Sequence, residues 1–160
     1  RTCERFETRT RGLAPQEALA GYIAYYLSPA HCNKLGQGCA IPATAGDVAR
    51  LEPEARKRFE AGASALQRLI ARQFEQAGFG AAEALNQAAA LLSELSGAVM
   101  MARAVKSPHM QKQICASAHS AILQRLRRYW PDFGAKAQAE VEAAFAPLLS
   151  EDEDALSVGV

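Results

Sequence analysis

The sequence carries almost no excess charge, few aromatic residues and no long apolar run, and each shortage excludes something. Basic residues outnumber acidic ones by one, giving a net charge of +1. A nucleic-acid surface would need a clear basic excess. No apolar stretch approaches the roughly 20 residues that span a bilayer, and none reads as a signal peptide. The four cysteines (Cys3, Cys32, Cys39 and Cys115) are unevenly placed. They do not form the framework of a secreted, disulfide-rich domain, so reduced thiols and a cytoplasmic location are expected. The chain has no glycine-rich phosphate loop, no G-x-S-x-G, H-E-x-x-H or C-x-x-C, and no E-x-x-H pair for a di-iron bundle. Neither catalysis nor a cofactor is expected.

What is present points to helices. Apolar residues make up 49% of the 160, enough for one domain with a real core. Alanine is abundant and β-branched residues are sparse, which favours helix. No segment sustains period-2 alternation, so the predicted fold class is all-α, a helical bundle. The first residues, Arg1–Arg11, read as the end of a helix entering from upstream, stopped by Gly12. The chain therefore reads as part of a longer protein. Pro15 opens a second helix that is uncharged from Ala18 to Leu27 and carries Tyr22, Tyr25 and Tyr26. Residues 28–43 form the main irregular segment. Thr44 is expected to cap a short helix, with Asp47 at its third position. Pro53 opens a strongly amphipathic helix that ends before Gly78.

The longest uninterrupted helical stretch runs from Ala81 to Lys106. At 100° per residue, Leu85, Ala88, Leu92, Leu95, Val99 and Ala102 share one face. Asn86, Ala89, Ser93, Gly97, Met100 and Ala104 share another, made mostly of small residues. A helix without a solvated face packs on both. Glu94 and Arg103 are its only interior charges, and each requires a partner. Ser107 and Pro108 start a further helix reaching about Tyr129, with an apolar arc through Met110, Ile114, Cys115, Ala118, Ala121, Ile122 and Leu126. A weaker helix over Ala135–Leu149, with a stripe of Val141, Phe145 and Leu148, precedes an acidic run at Glu151–Asp154.

His31, Cys32 and Cys39 come nearest to a metal set. Their spacing is wrong for a zinc knuckle and a fourth ligand is missing, so no metal is expected. Cys32 and Cys39, joined by a glycine-rich loop, are the candidate redox pair; the plainer reading packs Cys39 inward. Cys115, on an apolar arc, reads as a small core residue.

From Leu19 onward the order of features resembles the C-terminal regulatory domain of TetR-family (tetracycline-repressor-like) transcriptional regulators. The carrying stretches are Tyr25–Ile70 and Ala90–Val105. Within them lie the S-P-x-H of Ser28–His31, the Gly38-Cys39 pair before a short helix, and the L-L-x-x-L-x-G-A-x-x-x-A-R-A-V run. The resemblance implies a domain over residues 1–130 that binds an effector and dimerises, with residues 1–11 as the end of the helix linking it to an N-terminal helix-turn-helix. DNA would be bound only through that N-terminal domain, which this sequence lacks; residues 131–160 would form an extension. The partners implied are a second copy of the chain and a small-molecule effector; no membrane is implied.

The resemblance also implies an internal effector cavity. Tyr22, Tyr26, Phe59, Leu66, Ile70, Leu92, Ser96 and Met100 are its candidate lining, suited to a hydrophobic or aromatic ligand. Each is equally compatible with plain core. The two long helices after Gly80 would form a four-helix interface with the partner, through Ala89, Ser93, Gly97, Ala104, Ile122 and Leu126. The small stripe gives an independent reason, since it allows close helix approach; the competing reading packs that stripe on a helix of the same chain. A purely structural dimerisation module and a thiol-based sensor are the alternative functions.

Overall fold

The computed structural model describes residues 1–33 and 38–135. The expected helix at 135–149 and the acidic run therefore lie, beyond Ala135, outside the described residues. Among the described residues the regular structure is entirely helical: α1 (Thr2–Thr10), α2 (Pro15–Tyr26), α3 (Pro29–Cys32), α4 (Ala40–Val48), α5 (Pro53–Gln76), α6 (Ala81–Ala104) and α7 (Pro108–Leu126). None of these is long and apolar enough to cross a membrane.

Proline sets most of the starts. Pro15, Pro29, Pro53 and Pro108 each occupy the first turn of a helix, where the missing N–H costs nothing because no acceptor lies upstream. Ser28 and Ser107 cap α3 and α7 through their hydroxyls, accepting from the amides of His31 and Met110 at 3.3 Å. Gly12 ends the α1 segment in the left-handed region, φ +77°.

One start departs from expectation. α4 begins at Ala40 rather than after Thr44, and Pro42 falls in its first turn. Thr44 does not cap it; its hydroxyl donates back to the Ala40 carbonyl at 2.9 Å. The irregular stretch is correspondingly shorter, and α3 occupies part of it.

α6 lies between α5 and α7, against which it makes its most extensive contacts. Ala84, Ala88, Leu91, Leu95, Val99 and Ala102 form its fully inward arc, with Leu92, Ser96 and Ala98 at the margins. Leu85, expected in the core, is 45% exposed. The reason is lengthwise. α3 and α4 cover the C-terminal half of α6, where Arg103 reaches the α3 carbonyls and Met100 lies near Gly46 of α4. Leu85 belongs to the uncovered N-terminal half.

On α7, Met110 and Ala121 are likewise exposed rather than part of the apolar arc. Inside, Cys115, His119, Ile122, Leu123 and Leu126 meet the core. α7 stops at Leu126, short of the expected Tyr129. Beyond it the chain turns so that Trp130 stacks on Phe74 and Phe133, with Phe79 edge-on. Phe133 is buried. Gly134 makes this turn possible: its φ is +72°, and a Cβ there would come within 2.5 Å of Leu123.

The two charges inside α6 have partners on neighbouring elements. Glu94 holds Arg125 of α7 through two contacts, at 2.7 and 3.3 Å, and Arg125 also donates to Gln87. Arg103 donates through Nε to the Cys32 carbonyl at 3.0 Å and through Nη2 to the His31 carbonyl at 3.2 Å. A guanidinium on the last carbonyls of α3 compensates groups that have no acceptor-side partner within the helix.

Candidate functional site

α2, α3 and α6 converge on an aromatic and thiol-rich interior that the sequence builds from short-range signals. Tyr22 and Tyr26 are one helical turn apart on α2, so both point inward. Phe6 of α1 meets Tyr22 edge-on at 4.6 Å, Tyr22 lies 5.6 Å from Tyr26, and Tyr26 lies 4.5 Å from His31. The row links α1 to α3. On the outer side Arg9 stands 3.3 Å over the ring of Tyr25, a cation–π contact that holds α1 against α2.

His31 is buried and uses both ring nitrogens. The Cys39 amide donates to Nε2 at 3.1 Å, so Nε2 must be unprotonated; Nδ1 then carries the proton and donates to the Tyr26 carbonyl at 2.7 Å. Burial lowers the His31 pKa, opposed by the Tyr26 carbonyl and reinforced by Arg103, Arg5 and Arg9. The ring bridges the end of α2 to the start of α4. With both nitrogens engaged it has no lone pair for a metal, and among the described residues no cluster of three His, Cys, Asp or Glu side chains could hold one.

Two hydroxyls in this interior have no partner. Tyr26 Oη and Ser96 Oγ are buried without a hydrogen bond, at 1% and 8% residue exposure. Ser96 and Cys39 stand within hydrogen-bonding range of the Tyr26 hydroxyl, but neither meets it with the distance and angle of a formed bond. Burial raises the pKa of both Tyr22 and Tyr26, keeping the phenols neutral. A buried hydroxyl left unpaired costs about 1–3 kcal/mol.

The candidate cavity residues do not enclose a cavity. Tyr22, Tyr26, Leu66, Ile70 and Leu92 are packed core, Ser96 is buried among them, and Met100 is half-buried. The void beside Tyr22 and Tyr26 is about 10 Å³, the size of a single water at most. Open volume lies one layer outward, in a cleft of about 680 Å³ between α1, α4 and α5. Ile41, Val48, Ala55, Phe59 and Ala63 supply its apolar wall; Glu54 and Arg58 stand at its rim. Phe59 is the one candidate lining residue that meets it. Thr2 borders both the cleft and the small void, and Cys39 and Ala40 are consecutive residues on their respective walls. A comparable hollow of about 700 Å³ lies between α2 and residues 129–135. Its rim ends at the last described residue.

The interface candidates divide in two. Ala89, Ser93, Gly97 and Ala104 are exposed on one face of α6. Ile122 and Leu126 are not available to a partner: both are buried in the chain's own core, because α7 turns that arc towards α6 and the Trp130 cluster. The outward face of α7 instead presents Gln113, Ala116, Ser117, Ser120 and Ala121. Large apolar residues flank the small ones: Leu85 and Met101 on α6, at 45% and 56% exposure, and Met110 on α7.

The thiol that Cys32 meets is Cys115, not Cys39. The two sulfurs lie 3.4 Å apart between α3 and α7, while Cys39 lies beside Tyr22 and Tyr26. Sequence reasoning placed Cys115 on a core arc but had no one-dimensional signal for a contact across 83 positions. In the sequence His31 stood in an incomplete metal set; its place three residues after a capping serine and shortly after two tyrosines was the available clue to its bridging role.

Comparison with known families gives one match. The family model described as transcriptional regulator LmrA/YxaF-like, C-terminal domain, covers residues 15–116, from the first residue of α2 into α7. No curated protein and no solved structure matches the chain.

Proposed function

The chain belongs to the TetR family of transcriptional regulators through their C-terminal regulatory domain, a non-enzymatic domain, and from that premise we propose that it binds a small uncharged aromatic effector and pairs with a second copy of itself. DNA contact, in this reading, belongs to a helix-turn-helix domain outside this sequence, and the protein works in the cytoplasm.

The observation that carries the effector reading is the pair of buried hydroxyls with no hydrogen bond formed, Tyr26 Oη and Ser96 Oγ, in an interior lined mainly by aromatic and aliphatic side chains. Such groups are rarely left unsatisfied without a reason. An effector with a polar substituent would satisfy them while its ring occupies the adjoining cleft beside Phe59, whose volume of about 680 Å³ suits a drug-sized ligand. The start of α4 adjoins both hollows, with Cys39 on the inner one and Ala40 on the cleft, and Pro42 is its one buried residue. Displacing α4 would join the cleft to the hydroxyls. The Phe6–Tyr22–Tyr26 row then offers a packed connection from effector to α1. Ligand-driven change requires different affinities for two arrangements of these elements.

The pairing reading rests on the outward faces of α6 and α7. They combine small residues with exposed Leu85, Met101 and Met110, the composition of helices that approach closely.

A thermal-shift series with neutral phenols and related aromatic compounds tests the effector. Saturating binders should raise the melting temperature, and Tyr26→Phe with Ser96→Ala should reduce that rise. The closely packed interior favours a second reading, a structural dimerisation module without a ligand. A dimer whose melting temperature no compound moves would establish the second reading over the first.

A further inference from the structure

The buried sulfur pair on α3 and α7 has no part in effector binding or pairing as proposed above. We propose that Cys32 and Cys115 form a reversible dithiol site that small hydroperoxides oxidise to an intrachain disulfide.

Geometry carries the proposal. The Sγ atoms are 3.4 Å apart; a disulfide needs about 2.05 Å, so side-chain rotation has to close only about 1.4 Å. The pair is set apart from ordinary core cysteine by what surrounds it. Arg103 lies over the end of α3, donating to the carbonyls of His31 and Cys32. Its third nitrogen, Nη1, is buried with no acceptor. The charge of Arg103 acts on the Cys32 sulfur, and a guanidinium near a thiol favours negative charge there. The roles are unequal. Either thiol can donate across the contact, but Arg103 lies against α3 and its charge favours the thiolate on Cys32; with Cys115 as the donor the Cys32 pKa falls, against burial, and that of Cys115 rises. Cys32 is therefore the nucleophile and Cys115 the resolving thiol. Cys32 is 7% exposed and Cys115 3%, and exposed Asn33 follows Cys32 directly. Cys32 is thus the more accessible of the two, and burial this deep favours a small oxidant.

The chemistry balances without a further reductant or metal. The Cys32 thiolate attacks the terminal oxygen of the hydroperoxide; the O–O bond breaks and an alcohol, or water, leaves with a proton. Cys32 is now a sulfenic acid. The Cys115 sulfur displaces its hydroxyl, the S–S bond forms, and the hydroxide leaves as water with the Cys115 proton. Two thiols have lost two electrons, and one hydroperoxide has gained them. A dithiol reductant reverses the exchange. The product ties α3, and through it the His31 bridge, to the helix proposed to face a partner.

The intact protein, treated with one equivalent of hydrogen peroxide or cumene hydroperoxide, alkylated and digested without reduction, tests this directly. The expected result is a single cross-linked peptide pair containing Cys32 and Cys115. Two of the four thiols per chain should be lost, and dithiothreitol should restore them. Cys39→Ser should behave as the parent. Cys115→Ser should leave a sulfenic acid on Cys32 that dimedone traps. A cross-link from Cys32 to Cys39, a disulfide between chains, or full alkylation of both cysteines after treatment would each overturn the proposal. The peptide map of the parent protein decides the matter even if a variant fails to fold. None of these readouts depends on effector or DNA binding.

Discussion

His31 links the end of α2 to the start of α4 with two hydrogen bonds, donating to the Tyr26 carbonyl and accepting from the Cys39 amide. This fixes its charge state as well as its place. Protonating Nε2 would set two N–H donors against each other, and burial acts in the same direction, lowering the pKa. The unfolded chain titrates near 6.5 and the folded one lower. The contribution to stability is therefore complete above about pH 6.5 and is lost as the pH falls through the folded-state value. We expect the urea midpoint to decline between about pH 7.5 and 5, and His31→Gln to lose stability at neutral pH while flattening that decline. An equally steep decline in the variant would mean that other groups cause it. Tyr26 makes the opposite prediction. Its hydroxyl is buried without a partner, so Tyr26→Phe should leave stability unchanged or raise it by about 1 kcal/mol in chemical denaturation. A loss of 2 kcal/mol or more would show that the hydroxyl has a partner, which would undercut its role as an effector contact. The S-P-x-H signature was legible as a pattern, but Ser28 and Pro29 fell in the stretch read as irregular, and their roles as cap and first turn belong to a four-residue helix too short to show a period. The two partners of the histidine ring were not legible, because one of them, the Cys39 amide, lies eight positions further on and no periodicity ties it to the ring.

At the scale of the helix, α6 was the most legible element. Its length, its proline-free run and its inward residues Ala88, Leu92, Leu95, Val99 and Ala102 follow from a 3.6-residue repeat. The small stripe Ala89, Ser93 and Gly97 was equally plain, and it lies exposed. The error at Leu85 has a simple origin. Periodicity gives direction around a helix but not how far along it the neighbours extend. On α7 the expected arc was too wide: Met110 and Ala121, placed on it beside Ile122 and Leu126, are exposed, and Ile122 and Leu126, also expected at the interface, are core. Charge partners are also invisible in one dimension. Glu94 finds Arg125, which is 31 positions away. Since the Arg125 side chain is only 22% exposed and also serves Gln87, this contact exceeds an ordinary surface pair. Arg125→Ala should cost about 1–2 kcal/mol in urea denaturation. A change below a few tenths would mean that solvent replaces the contact and that α6 and α7 are held by apolar packing alone.

For the whole molecule, the all-α class and helix order followed from composition and proline placement. The location of open volume did not. Leu66, Ile70 and Tyr26 read as either pocket wall or core, and the structure makes them core. The clefts lie where separate helices diverge, a property of packing rather than of any one segment. Among the described residues the centre is filled, α4 is a thin cover and α6 and α7 share an outward face. As a TetR-family regulatory domain, the chain is proposed to use that face for pairing, and Gly97 allows this to be isolated. A Cβ added there meets nothing within 4 Å, so substitution at Gly97 leaves the chain's own packing intact and improves helix propensity by up to about 1 kcal/mol. Sedimentation of the parent protein and of Gly97→Glu, with melting temperatures measured alongside, is therefore the most direct test. The parent should sediment as a dimer, and the variant as a monomer with an undiminished chain fold by circular dichroism. A parent that sediments as a monomer, or a Gly97→Glu variant that remains dimeric, would contradict the account.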